Sequence, residues 1–176
     1  PWPVVACACS AIVAGSVHQS RAGRCFEVDT LRILPRRHGT MRILLARHGE
    51  TPWNAEGRYQ GQEDIPLSPI GEAQAHSLGE RLREVRIDRA VASPLARARR
   101  TAELALGEAR ASMLAFEAGL VEIAHGTWEG LLASEIRERD GERLRAWREA
   151  PDTVQMPGGE SLPQVLGRAW PAFERA

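Results

Sequence analysis

Short apolar runs alternate with helical segments that open on a Ser-Pro pair in the part of the chain after residue 40. Residues 41–46 and 87–92 are typical of buried strands. Serine is a good N-cap and proline suits the first helical position, so each pair predicts a helix start. The alternation favours an α/β fold: a three-layer sandwich with a mainly parallel central sheet flanked by helices. The pairs are Ser68-Pro69 and Ser93-Pro94.

Three further segments complete the predicted pattern. The helix after Ser68 should bury one apolar face, and residues 131–150 and 160–176 should also be helical, separated by a Pro-Gly-Gly loop. The predicted buried face consists of Ile70, Ala73, Leu78, Leu82 and Val85.

The first 40 residues differ in composition from the rest of the chain. Their apolar run, residues 4–17, is too short for a transmembrane helix, although its length also fits a signal-peptide core. We predict that residues 1–40 are an N-terminal extension outside the domain and that residues 41–176 form the domain. This extension holds all three cysteines of the chain: Cys7, Cys9 and Cys25.

Charge and cysteine content restrict the partners and the compartment. The 176-residue chain carries 23 basic and 23 acidic residues, which argues against nucleic acid or a membrane surface as a partner, since both require a basic excess. No cysteine follows Cys25, so we expect a cytoplasmic setting with neither a disulfide framework nor a Cys-based metal site. We predict no metal and no cofactor, and we leave a homodimer open.

Arg47, His48 and Gly49 follow the first predicted strand. Ligands of open α/β sheets bind beyond the carboxyl ends of the strands, so this position places His48 in a crevice. A neutral imidazole is a competent nucleophile towards phosphorus, and arginine offers a fork of donors to phosphate oxygens. The Arg-His-Gly tripeptide alone is weak evidence for a catalytic site, because the same three residues also occur at positions 37–39. We treat His38 as unrelated to the site.

A longer set of motifs supports a functional role for the Arg47-His48-Gly49 tripeptide. The string from Arg47 to Asn54, followed by Gln60-Gly61, closely resembles the histidine phosphatase superfamily, also called the phosphoglycerate mutase-like family. The segments 93–102, 122–130 and 157–161 resemble that family's later motifs, in the same order and spacing. The resemblance covers residues 41–176 and implies the same α/β sandwich fold.

The resemblance also implies roles for individual residues. His48 corresponds to the histidine that becomes phosphorylated, Arg47 and Arg97 to the arginines that clamp the phosphoryl group, and Glu122 to the proton donor and acceptor. His125 could line the pocket, and Glu129 corresponds to a structural residue. The implied substrate-binding set is Arg47, Gly49, Glu50, Thr51, Trp53, Asn54, Gly61 and Arg97.

The family's second catalytic histidine lies on a strand after the helix that here ends at Ala176, and no histidine of this chain stands in that context. We therefore expect a fragment that is inactive or weakly active by itself. The predicted function is metal-independent hydrolysis of a small phosphorylated metabolite through a phosphohistidine. Two alternatives stay open: phosphoryl transfer of the phosphoglycerate mutase type, and a non-catalytic phosphate-binding fragment.

Overall fold

The computed structural model describes residues 10–15, 32–35 and 42–176. The described strands are β1 (Ser10–Gly15), β2 (Arg32–Pro35), β3 (Arg42–Arg47), β4 (Arg89–Ala92) and β5 (Leu114–Phe116). They form one five-stranded sheet in the order β2-β3-β1-β4-β5. The helices are α1 (Pro52–Glu56), α2 (Pro69–Leu82), α3 (Ala96–Leu106), α4 (Ala133–Glu149) and α5 (Leu162–Arg175), with short 3-10 turns at Glu108–Met113, Ala118–Leu120, Gly126–Trp128 and Pro151–Thr153.

Strand direction divides the sheet into two groups. β4 and β5 pair in parallel, and β1 pairs antiparallel with both β3 and β4, so β3, β4 and β5 all run the same way. β2 pairs antiparallel with β3 at the edge of the sheet. The three strands after residue 41 therefore run in the same direction, and β4 and β5 pair directly in parallel, whereas β1 lies between β3 and β4.

Helices cover both faces of this sheet. Ile43 and Leu44 are neighbours on β3, so their side chains point to opposite faces. Leu44 packs in a core with residues of α2 and α3, including Leu82 and Ala105, whereas Ile43 packs in another core with Ala172 of α5. The predicted α/β class is confirmed. A third core lies around α4 and the start of α5 and includes Ile123, Trp128, Ile136, Leu144, Met156 and Val165.

The segment before Met41 contributes two strands to the described sheet, Ser10–Gly15 and Arg32–Pro35. We predicted that residues 1–40 lie outside the domain. The β-branched Ile12 and Val13 suit a strand between two others. The domain boundary at Met41 stays a prediction, which truncation can test. The cysteines, His18 and His38 lie outside the described residues.

The helix starts agree only partly with their signals. Ser68 caps α2 as predicted, and its hydroxyl accepts a hydrogen bond from Gly71 N–H. The second Ser-Pro pair does not begin its helix, because α3 starts at Ala96, whose N–H donates to the Asp64 carboxylate at 2.6 Å. Ser93 instead accepts from Leu95 N–H.

The predicted buried face of α2 was wrong at two positions. Ile70 is 59% exposed and Ala73 is exposed as well, whereas Gly71, Ala75 and Leu82 are buried. The reason is the close packing of Gly71 on the chain after β3, which turns that side of the helix inward: a Cβ at Gly71 would overlap the carbonyl oxygen of Glu50.

Candidate active site at the end of strand β3

His48 lies directly after the last residue of β3, as the sequence predicted. Its Nδ1 is 2.6 Å from the carbonyl oxygen of Gly49. Because a carbonyl can only accept, Nδ1 must carry the hydrogen, and Nε2 of the neutral ring then holds the lone pair. The contact fixes both the tautomer and the direction of the ring.

The charges around His48 come from the predicted residues. Burial lowers the pKa of His48 from its usual 6.5 to about 4, against the hydrogen bond to Gly49, which raises this pKa. The guanidinium groups of Arg97 and Arg47 lower the His48 pKa further, and the Glu122 carboxylate raises it. The fold thus brings two cations and one carboxylate near a ring that is neutral at pH 7.

Gly49 and Thr101 connect β3 to α3. Gly49 N–H donates to the Thr101 hydroxyl at 3.0 Å, and that hydroxyl donates to the carbonyl oxygen of Arg97 at 2.7 Å. A Cβ at Gly49 would overlap the backbone of Gly71, so only glycine fits between β3 and α2. These contacts fix the position of the His48 loop relative to Arg97.

Arg97 is almost completely buried, at 1% exposure. Its guanidinium donates to the carbonyl oxygens of Gly61 at 2.7 Å and Glu63 at 3.0 Å. The Gln60 amide completes this arrangement: with Oε1 towards Arg97 it accepts from Nε at 2.6 Å, while its NH2 group donates to the Thr51 hydroxyl. The loop 60–63 thereby orients a buried cation beside His48.

Several residues predicted to bind substrate also hold the local structure. Thr51 is fully buried and forms a reciprocal capping box with Asn54 at the start of α1. The Glu50 carboxylate accepts from the Ser68 hydroxyl at 2.7 Å. Trp53 packs beside Gly130, and Arg47 is exposed at the end of β3. Contact of these residues with a substrate stays a prediction.

Glu122 and Glu129 have different surroundings. Glu122 is buried, and its Oε1 accepts from Ile123 N–H at 2.8 Å. The Glu129 carboxylate accepts from three backbone N–H groups, of Gln62, Glu63 and His125, and so ties the acid segment to the loop 60–63. This geometry agrees with the structural role that the sequence implied for Glu129.

The two remaining described histidines have different surroundings, one exposed and one buried. His76 is exposed on α2. His125 is buried edge-on against the rings of Tyr59 and Trp147, and burial lowers its pKa, although Glu122 and Glu129 raise it. Among the described side chains, no group of three or more His, Cys, Asp or Glu residues is placed to share a metal ion. No helix in the described ranges is long and apolar enough to cross a bilayer.

Sequence reasoning predicted no role for Gln60, Gln62 or Arg168. Arg168 is the only charged residue between Ser161 and Glu174, an isolated cation in a largely apolar helix. That isolation is a signal, because a charge in such a helix needs a partner. Its partners are remote in sequence, which is why the local pattern does not identify them.

Comparison with known proteins assigns the family. The model of the histidine phosphatase superfamily (branch 1) matches residues 43–176. The chain belongs to the histidine phosphatase superfamily. The chain is 41% identical over 128 residues to phosphoserine phosphatase 1 of Hydrogenobacter thermophilus, and the aligned region covers 73% of this chain and 60% of that protein. It is 36% identical to the protein named probable phosphoglycerate mutase GpmB of Salmonella choleraesuis, over 76% of this chain and 61% of the relative.

Solved structures of this superfamily share the fold. YhfR of Bacillus stearothermophilus aligns with a TM-score of 0.67 at 36% identity, covering 73% of this chain and 63% of that one. The alpha-ribazole phosphatase of Shigella flexneri aligns with a TM-score of 0.66 at 31% identity, over the same shares of the two chains. The chain spans about 60% of the length of the two curated relatives.

Proposed function

We propose that this chain carries the phosphoryl-transfer centre of a phosphomonoester hydrolase that works through a phosphohistidine on His48. The hydrogen bond from His48 Nδ1 to the Gly49 carbonyl carries the proposal, because it leaves Nε2 with the lone pair that a nucleophile needs. The low pKa of His48, about 4, keeps this nucleophile neutral at physiological pH. Membership of a family with phosphatase-named relatives supports the same chemistry.

The reaction divides into two displacements. In the first, the lone pair of Nε2 attacks phosphorus, the ester P–O bond breaks, and the leaving oxygen takes a proton from the Glu122 carboxyl. In the second, water attacks the phosphohistidine, Glu122 accepts the water proton, and the P–N bond electrons return to Nε2. Arg47 and Arg97 stabilise the charge on the three transferring oxygens in both steps.

We propose that the substrate is a small phosphorylated alcohol in the cytoplasm and that arginines, not a metal ion, neutralise its phosphate. The names of the relatives make phosphoserine and a phosphate ester of alpha-ribazole the first compounds to assay, alongside 3-phosphoglycerate. Turnover that persists in a chelator would support the metal-independent step. Loss of turnover, restored by adding a divalent cation, would contradict it.

Trapping the intermediate tests the proposal. After brief exposure of the complete gene product to substrate, acid-labile and base-stable phosphate should appear on His48, and His48→Ala should abolish both label and turnover. His76→Ala is the matched control, because that histidine is exposed on α2 and should tolerate the change. Label on any other histidine would show that the nucleophile is misassigned.

A mutase is the second candidate, because one relative carries a phosphoglycerate mutase name. Incubation with 3-phosphoglycerate separates the two reactions: the hydrolase releases inorganic phosphate, whereas the mutase forms 2-phosphoglycerate. We further propose that residues 1–176 alone turn over slowly, because His76 is exposed on α2 and His125 is packed edge-on against Tyr59, so we assign neither of them the role of the family's second catalytic histidine. Equal turnover of this chain and the complete gene product would refute that point.

A further inference from the structure

Arg168 on α5 uses its whole guanidinium to hold the segment that contains Glu122. Nε and Nη2 form a fork on the two carboxylate oxygens of Glu160, at 2.8 and 2.7 Å. Nη1 donates to the carbonyl oxygens of Gly119 at 2.9 Å and Val121 at 2.7 Å, and Nη2 donates to that of Glu122 at 2.9 Å. An arginine has five N–H donors, and these five contacts match all of them.

Glu160 holds the same segment from the other side of Glu122. Its Oε2 accepts from Ala124 N–H at 2.9 Å and from Gln62 Nε2 at 3.2 Å. The hydrogen bonds from Arg168 hold the pKa of Glu160 below its usual value, so the carboxylate is charged at neutral pH. The backbone on both sides of Glu122 is therefore held by one ion pair.

Gln62 links this ion pair to the loop that orients Arg97. Its Nε2 also donates to the carbonyl oxygen of Glu122 at 3.0 Å. The neighbouring carbonyls, of Gly61 and Glu63, are the acceptors of the Arg97 guanidinium. The main chain of the acid and the buried cation of the phosphate site thus share one hydrogen-bonded frame.

We propose that Arg168 and Glu160 are positioning residues that aim the Glu122 carboxyl at the leaving oxygen. The inference rests on the proposed function, in which Glu122 protonates that oxygen. Neither residue touches the reacting atoms; both act through the backbone of residues 119–124. A displacement of about 1 Å at a reacting group costs on the order of a hundredfold in rate.

The dependence on the leaving group distinguishes positioning from mere stabilisation of the fold. An alkyl phosphate needs a proton on its leaving oxygen, whereas p-nitrophenyl phosphate releases a stable anion without one. Arg168→Lys keeps the charge but cannot fork, because lysine has three donors on one nitrogen. Turnover of the alkyl phosphate should fall by about a hundredfold and that of p-nitrophenyl phosphate by less than about fivefold.

The experiment compares four variants of the complete gene product on both substrates. Glu122→Gln shows how the ratio of the two rates changes when the general acid is lost. Arg168→Lys and Glu160→Gln should change this ratio in the same direction. Arg175→Lys is the matched control, since it lies on the same helix in an ion pair with Glu117 and should leave the ratio of the two rates unchanged. Equal losses on both substrates in Arg168→Lys and Glu160→Gln would overturn the positioning role.

The outcomes separate this inference from the proposed function. If Glu122→Gln shows no dependence on the leaving group, Glu122 is not the acid, and both the mechanism and the inference fall. If Glu122→Gln shows it and the two ion-pair variants do not, only the inference falls. Amide hydrogen exchange gives a second readout: the N–H of Ala124 should exchange faster in Arg168→Lys and not in Arg175→Lys. Unchanged protection would also contradict the inference.

Discussion

Lowering the pH from 7 to 5 should cost the folded protein about 2 kcal/mol through His48 alone. In the folded state the pKa of this ring is about 4, chiefly because burial disfavours the imidazolium, whereas an unfolded chain has the usual 6.5. Well above pH 6.5 the ring is neutral in both states and no stability is lost. Below it the unfolded chain binds a proton that the folded chain does not, so stability falls as the pH falls.

The size of the effect is set by the two pKa values. The full difference corresponds to about 3 kcal/mol, and it is reached only below pH 4, once the folded ring is protonated as well. Because the Arg97 guanidinium lowers the pKa of His48, removing it should raise that pKa towards 6.5. The free energy of unfolding should then depend less on pH.

Urea unfolding of the wild type and His48→Gln at pH 7 and pH 5 measures this contribution. The glutamine variant cannot titrate, so it should lose about 2 kcal/mol less between the two pH values. Burial also lowers the pKa of His125. Its contribution is the same in the wild type and in His48→Gln, so it cancels when the two changes in unfolding free energy are subtracted. A His48 ring that titrates near 6.5 by NMR, or identical pH dependence in both proteins, would refute the reasoning.

Two further predictions concern the fold. Gly49→Ala forces a methyl group against the backbone of Gly71 and should lower Tm by about 10 °C. Gly167→Ala is the matched control: no neighbouring atom lies within 4 Å of the added Cβ, so the change should stabilise α5 by about 0.5–1 kcal/mol. Thermal unfolding measures both variants, and an unchanged Tm in Gly49→Ala would show that β3 and α2 can separate. A chain that starts at Met41 lacks both β1 and β2, which leaves β3 and β4 without the strand between them, so Tm should fall. An unchanged Tm would instead support the domain boundary that the sequence predicted.

Local signals in the sequence predicted the parts of the site that depend on neighbours along the chain. The apolar run before Arg47 predicted β3 and so placed His48 at a strand end, and Ser68 with Pro69 predicted the start of α2. The family resemblance supplied Arg97 and Glu122, which the structure brings close enough to His48 to affect its pKa. These features are encoded within a few residues or in motif order.

The features that the sequence did not reveal depend on partners far apart in the chain. Asp64 caps α3 at Ala96, 32 residues later, so the local Ser-Pro signal misplaced the helix start. Arg168 reaches the carbonyl oxygen of Glu122, 46 residues earlier. The position of Ser10–Gly15 in the sheet depends on pairing with β3 and β4, which lie far along the chain. Periodicity and capping rules describe a window of a few residues and cannot report such pairs.

The position of β1 has a consequence for the order of assembly. Its Ile12 pairs with Leu45 on one side and with Val91 on the other, so the segment is synthesised well before its second neighbour. During synthesis β1 can form only one of its two ladders until β4 has emerged, and contacts across so many residues slow folding because a long loop must close first. Meanwhile the unpaired side of this apolar strand is open to other chains. Slow translation, or a chaperone that covers the early segment, should therefore affect the yield of soluble protein more than changes in the surface helices do.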